Sequence, residues 1–113
     1  MLPFQLLLNN VLYGDPEYGD IIVASKTSYK NGEPIIKRVI ATEGQTVSIE
    51  SGVVLVDGIA LVEPYTTTPT ACDGFESMTF PLTVPEGCVF LMGDNRSNSL
   101  DSRSKDIGLI EKI

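Results

Sequence analysis

Histidine is absent from the 113-residue chain, and cysteine occurs only at Cys72 and Cys88. Zinc takes its ligands chiefly from these residue types, so the composition speaks against a zinc site. The two cysteines allow one disulfide or none. With no histidine to activate either thiol, a structural cystine or two quiet thiols is the expectation. Positive charge is also scarce: eight Lys and Arg stand against fifteen Asp and Glu, a formal net charge of −7, which argues against a nucleic-acid surface. No run of like charge suggests a disordered tail. No stretch approaches the roughly 20 apolar residues of a membrane span, Leu6-Leu7-Leu8 being far too short. No signal-peptide pattern is visible, and there are no repeats or low-complexity tracts.

Ten Gly, seven Pro and a hydrophobic content of 42% suit a turn-rich globular domain, and the length suffices for one small domain, residues 1–113, with a core. Met1 to Tyr13 is apolar without a clean period, so helix and strand are both open there. After a turn at Gly14-Asp15-Pro16, the β-branched run Ile21–Ala24 reads as a buried strand. Asn31-Gly32 marks a turn before the strand Ile35–Ala41. Thr46–Ile49 alternates. Val53–Val56 and Ile59–Val62 flank Asp57-Gly58, a dipeptide suited to a two-residue hairpin turn with positive φ. Tyr65 to Gly74 is a Thr/Pro-rich loop, read as variable in length. Met78–Phe80 and Leu82–Val84 around Pro81 suggest an edge strand. Cys88–Met92 reads as a strand, and Ile107–Ile113 as the start of another. No window is clearly amphipathic-helical, and the fold class is all-β, built of short strands.

Two places stand out against this background. From Gly93 to Arg103, ten of eleven residues are Gly or polar, directly after the apolar run Val89-Phe90-Leu91-Met92. On composition alone this is a charged surface turn. Its arginines, aspartates and asparagines can also bond one another into a rigid loop that holds another residue in place. The second place is Lys37, inside a strand whose neighbours Ile35, Ile36, Val39 and Ile40 are apolar. A lone strand lysine is usually an exposed edge residue with its stem on apolar surface. The alternative is an amine in an apolar setting, able to act as a general base.

The order Gly93-Asp94-Asn95-Arg96-x-x-Ser99-x-Asp101-Ser102-Arg103 resembles the C-terminal signature box of bacterial type I signal peptidases. Lys37-Arg38-Val39-Ile40 followed by Gly44 resembles that family's lysine box, although Thr42-Glu43 departs from its pattern. Gly19-Asp20-Ile21, Val56-Asp57-Gly58, Glu63-Pro64-Tyr65 and Val84-Pro85-Glu86-Gly87 are similar to further family segments. The likeness covers most of Gly14 to Leu109, apart from the Thr/Pro loop. It implies a fold of short, strongly coiled antiparallel sheets, shared with the self-cleaving repressors. It also implies a membrane-anchored serine protease with a Ser–Lys dyad, which removes signal peptides after small-x-small sites on the outer face of the bacterial membrane.

Carried over by position, the resemblance makes Lys37 the general base and Ser99 the hydroxyl that orients its amine. Arg38, Asp94, Asp101 and Arg103 become a salt-bridged frame. Ile35, Ile36 and Met1 fall on the substrate side. No metal or other cofactor is implied, and the partners are signal peptides of secretory preproteins, with membrane attachment through a preceding anchor. The nucleophile belongs to a Ser-Met-x-Pro box that Met1-Leu2-Pro3 fits from its second residue, so the serine itself is expected just before Met1 and outside these residues. Ser25, Ser28, Ser48 and Ser51 read as ordinary solvated loop serines. Without histidine, the Ser–His arrangement of the related endoplasmic-reticulum enzymes is ruled out within this chain. Two other readings stay open: a serine-less β module that binds extended peptides, and a repressor-type self-cleaving domain. The second is disfavoured because no Ala-Gly or Cys-Gly dipeptide occurs.

Overall fold

A computed structural model of the chain describes residues 4–6, 15–26 and 30–112. Met1-Leu2-Pro3, most of the first apolar segment, Gly14 and Ser28 lie outside the described residues. Among the described residues, nine strands follow one another: β1 (Phe4–Leu6), β2 (Ile21–Ser25), β3 (Ile35–Thr42), β4 (Thr46–Glu50), β5 (Val53–Val56), β6 (Ile59–Ala60), β7 (Leu82–Thr83), β8 (Cys88–Met92) and β9 (Ile110–Glu111). The helical content among the described residues is a single 3-10 turn at Lys30–Gly32, where Asn31 sits at φ 59°.

Five strands close into a barrel in the order β1-β2-β3-β8-β9, and four form a second sheet in the order β6-β5-β4-β7. Pairing is antiparallel, as expected, with one parallel contact between β1 and β9. The all-β class holds throughout.

Strand β8 explains how so small a chain sustains two apolar clusters. Its side chains alternate. Val89 and Leu91 enter the barrel cluster with Phe4, Ala24, Val39, Ile107 and Ile110. Phe90 and Met92 enter a second cluster with Val47, Val54 and Val56 from the other sheet. Strand β3 does the same by a different device. Its register against β8 shifts between Val39 and Ala41. The extra residue of a bulge breaks strict alternation, so Ile40 and Ala41 both reach the second cluster while Val39 stays in the first. Both strands are therefore clamped on both faces, β3 just after Lys37 and β8 just before Gly93.

The hairpin turns at Asp57-Gly58, with φ of 52° and 80°, but β6 ends at Ala60, and Val62 is 88% exposed. The edge strand around Pro81 shrinks to Leu82–Thr83, because proline brings no N–H to a ladder; nearby, Ser77 bridges Ser104 instead. The final strand begins only at Ile110, after a turn in which Gly108 adopts φ 65°.

Candidate active site

Lys37 and Ser99 meet, although 62 positions separate them: Lys37 Nζ donates to Ser99 Oγ at 3.1 Å. Strand β3 delivers the lysine, and the loop that follows β8 delivers the serine. That loop folds back on its own strand. Ser102 Oγ accepts from the Leu91 N–H at 2.9 Å, and the Ser102 N–H donates to the Leu91 carbonyl at 3.0 Å. Gly93 lies at the start of the fold-back, and its missing side chain is required. A Cβ there would overlap Ser99 Oγ, stand 2.7 Å from Ser99 Cβ and come within 3.4 Å of Lys37 Nζ.

Ser99 Oγ in turn donates to Asp101 Oδ2 at 3.0 Å. Asp101 and Arg103 are fully buried, so both charges depend on complete hydrogen bonding. They have it. Arg103 places its five N–H donors on Asp101 Oδ1 and Oδ2 and on the carbonyls of Ala71, Arg96 and Ser99. Asp101 also accepts from the N–H groups of Gly93, at 3.0 Å, and Arg103, at 3.1 Å.

Arg38 and Asp94 form a separate pair nearer the solvent. Both bonds of the fork are 2.8 Å, and the side chains are 21% and 37% exposed. The Arg38 guanidinium holds the Asp94 carboxyl below its ordinary range, and the same hydrogen bond raises Arg38 above its own. The four residues expected as one frame are thus two independent ion pairs, one dry and one wet. Among the described residues, Ser99 is the one hydrogen-bond partner of the Lys37 amine.

A cleft of about 300 Å³ opens beside the pair, with Ile35, Ile36 and Lys37 on one wall and Asn98, Ser99 and Leu100 on the other. Among the described residues, β3 is paired on one side only along this wall. Strand β2 matches Ile35, Ile36 and Lys37, whereas pairing with β8 begins at Arg38. Ile36 is 64% exposed. Met1, the third residue expected on the substrate side, lies outside the described residues. Cys72 and Cys88 are free thiols, and burial raises Cys88 above the ordinary thiol value. No cluster that could hold a metal ion occurs among the described residues.

Arg96, Glu63, Tyr65 and Thr70 also touch this site, and no role was read for them from the sequence. Arg96 is buried, donating to the Gly93 carbonyl at 2.8 Å, to Thr70 Oγ1 at 2.9 Å and to both carboxylate oxygens of Glu63. Arg96 belongs to the signature box and Glu63-Pro64-Tyr65 to a family-like segment, but no local spacing links residues 33 positions apart.

The chain belongs to a known family of peptidases: residues 4–113 match the family model described as "Signal peptidase, peptidase S26". The chain is 44% identical over 107 residues to the probable signal peptidase I-1 of Synechocystis, a match covering 87% of this chain and 52% of the relative. It is 36% identical to signal peptidase I S of Bacillus subtilis, covering 88% of this chain and 54% of the relative. A crystal structure of a signal peptidase I from Enterococcus faecalis superposes with a TM-score of 0.66 at 33% identity, covering 86% of this chain and 90% of that one. The chain thus spans about half the length of these two curated relatives.

Proposed function

We propose that residues 1–113 form the catalytic domain of a type I signal peptidase, a serine endopeptidase that removes signal peptides from secretory preproteins after small-x-small sites. The observation that carries this reading is the Lys37–Ser99 pair, bonded at 3.1 Å on the wall of a cleft whose other feature is an open strand edge.

An extended peptide adds to such an edge through main-chain hydrogen bonds, and side-chain pockets then select its residues. Here the edge is Ile35–Lys37, and the side chains of Ile35 and Ile36 bound the space for small residues. Lys37 in its neutral form takes the proton of an attacking hydroxyl, the logic of a nucleophile activated by an adjacent base. A serine hydroxyl has one proton, and that of Ser99 is committed to Asp101. Ser99 therefore accepts from the amine, which leaves the nitrogen lone pair free for the cleft. The reading places the attacking serine in the Ser-Met-x-Pro box that Met1-Leu2-Pro3 resembles. It places the domain on the extracytoplasmic side of the bacterial plasma membrane, held by an anchor preceding that box. No helix of the described residues is long and apolar enough to cross a membrane.

The test is a precursor peptide with an Ala-x-Ala site, offered to the 113-residue chain and to the same chain with a serine added before Met1. The expected result is cleavage after the second Ala by the serine-bearing chain alone. Turnover by the 113-residue chain that survives Lys37→Ala would contradict the reading and leave a different site to be found.

A further inference from the structure

Glu63-Pro64-Tyr65 directly follows the second-sheet hairpin, yet it touches both arginines that flank Gly93. On one side, Glu63 holds Arg96 by a two-pronged ion pair with the arginine side chain fully buried, and Arg96 Nε holds the Gly93 carbonyl at 2.8 Å. On the other side, the Tyr65 ring lies 4.1 Å from the Arg38 guanidinium, a cation–π distance, and Arg38 holds Asp94. The two halves are joined, because the Tyr65 hydroxyl donates to Glu63 Oε2 at 2.8 Å. The Tyr18 hydroxyl lies 2.8 Å from that of Tyr65. Burial first, then the bonds to Tyr18 and Glu63, raises the Tyr65 phenol far above its ordinary value, so it remains a donor.

The Gly93 peptide is therefore gripped at both ends. Its N–H goes to Asp101 at 3.0 Å, and its carbonyl goes to Arg96. It is also packed directly on the pair, with no room even for a methyl group between it and Ser99. Any displacement of this peptide is transmitted to the Lys37–Ser99 contact.

We propose that Glu63 and Tyr65 are positioning residues, which set the Lys37–Ser99 contact from beyond the second-sheet hairpin by holding Arg96 on the Gly93 carbonyl and Arg38 on the Asp94 carboxylate. The role in catalysis rests on the signal-peptidase reading, whereas the structural coupling does not. The segment never reaches the cleft, so it acts through the arginines alone. A hydrogen-bonded amine reacts more slowly with an acylating reagent than a released one, which gives a readout separate from activity.

The experiment measures the acetylation rate of Lys37 relative to the half-exposed Lys105 in the same folded 113-residue chain, by mass spectrometry under trace labelling. Ser99→Ala sets the scale, with a relative rate expected to rise about fivefold on loss of the hydrogen bond. Glu63→Gln keeps the shape and removes the charge that grips Arg96; it is expected to give about half that rise on a logarithmic scale, with Tyr65→Ala equal to it or larger. Tyr65→Phe, which keeps the ring over Arg38, is expected to give a smaller rise than Tyr65→Ala. In the serine-bearing chain, Glu63→Gln and Tyr65→Ala are expected to lower kcat by about tenfold while leaving KM within about twofold. A rise for Ser99→Ala with no change for Glu63→Gln and Tyr65→Ala would overturn the coupling. Altered Lys37 reactivity in a serine-bearing chain that never cleaves the precursor would uphold the coupling and count against the peptidase reading.

Discussion

The proton of Ser99 points at Asp101, not at Lys37: Ser99 Oγ donates to Asp101 Oδ2 at 3.0 Å while accepting from Lys37 Nζ at 3.1 Å. The carboxylate cannot turn away, because Arg103 holds both its oxygens. Arg103, Asp101, Ser99 and Lys37 thus form a one-way chain that fixes where the amine points.

Ser99→Ala is expected to lower kcat of the serine-bearing chain by about 10²-fold, the scale of misplacing a catalytic group by an ångström, with KM little changed. Stability should fall by only about 1 kcal/mol, the value of one hydrogen bond, because Asp101 keeps its other donors. Steady-state kinetics and a urea titration check the two halves. A large stability loss with proportionate inactivity would make Ser99 a folding residue instead.

Gly93→Ala tests the close approach. The added methyl group overlaps Ser99 Oγ, and the loop is too well bonded to retreat. A cost of about 1–3 kcal/mol is expected, as for other overpacked sites, together with loss of activity. Normal urea midpoints and normal kcat would show that the loop yields easily.

The two ion pairs should behave very differently. Arg103→Ala leaves Asp101 charged, dry and short of two of its five donor contacts, and breaking a buried pair costs about 3–5 kcal/mol. Arg38→Ala removes a pair open to solvent on the Asp94 side, worth about 1 kcal/mol or less. Urea midpoints should therefore separate the variants clearly; equal losses would mean that burial is not what decides the cost.

Acid should erase the Arg38–Asp94 difference. The Asp94 carboxyl titrates below its ordinary value in the folded chain. Its contribution is therefore fully present above the ordinary carboxylate pKa of about 3.9 and is lost as pH falls through the lowered folded value. The stability gap between the unaltered chain and Arg38→Ala is expected to be constant from neutral pH to about 5 and to close on further acidification. A gap that widened in acid would show that Arg38 acts through something other than Asp94.

Much of this was legible in the sequence, because the informative residues are chemically loud. Lys37 inside an apolar strand and the polar run Gly93–Arg103 read alone as an edge lysine and a surface turn, and it was their resemblance to the family's boxes that joined them as a candidate pair; Asp57-Gly58 marked the hairpin turn by itself. What escaped has a common physical cause. The Thr/Pro-rich loop was read only as variable in length, yet the Ala71 carbonyl accepts from Arg103 at 2.7 Å and the Thr70 hydroxyl accepts from Arg96 at 2.9 Å. A backbone carbonyl carries no residue identity, so no composition reveals that such a loop backs a buried arginine. Glu63 and Tyr65 were hidden likewise, since their partners come from another sheet. The bulge in β3, which lets Ile40 and Ala41 face one cluster, has no glycine or proline to announce it.

The proposed role of Lys37 as the base of a peptide-cleaving site is tested by the turnover of an Ala-x-Ala precursor by the serine-bearing chain with and without Lys37→Ala. Loss of the base is expected to reduce kcat by at least about 10³-fold, within the range for general-base catalysis, while the folded chain keeps its urea midpoint. Turnover that persists in Lys37→Ala within tenfold of the unaltered rate would contradict the account.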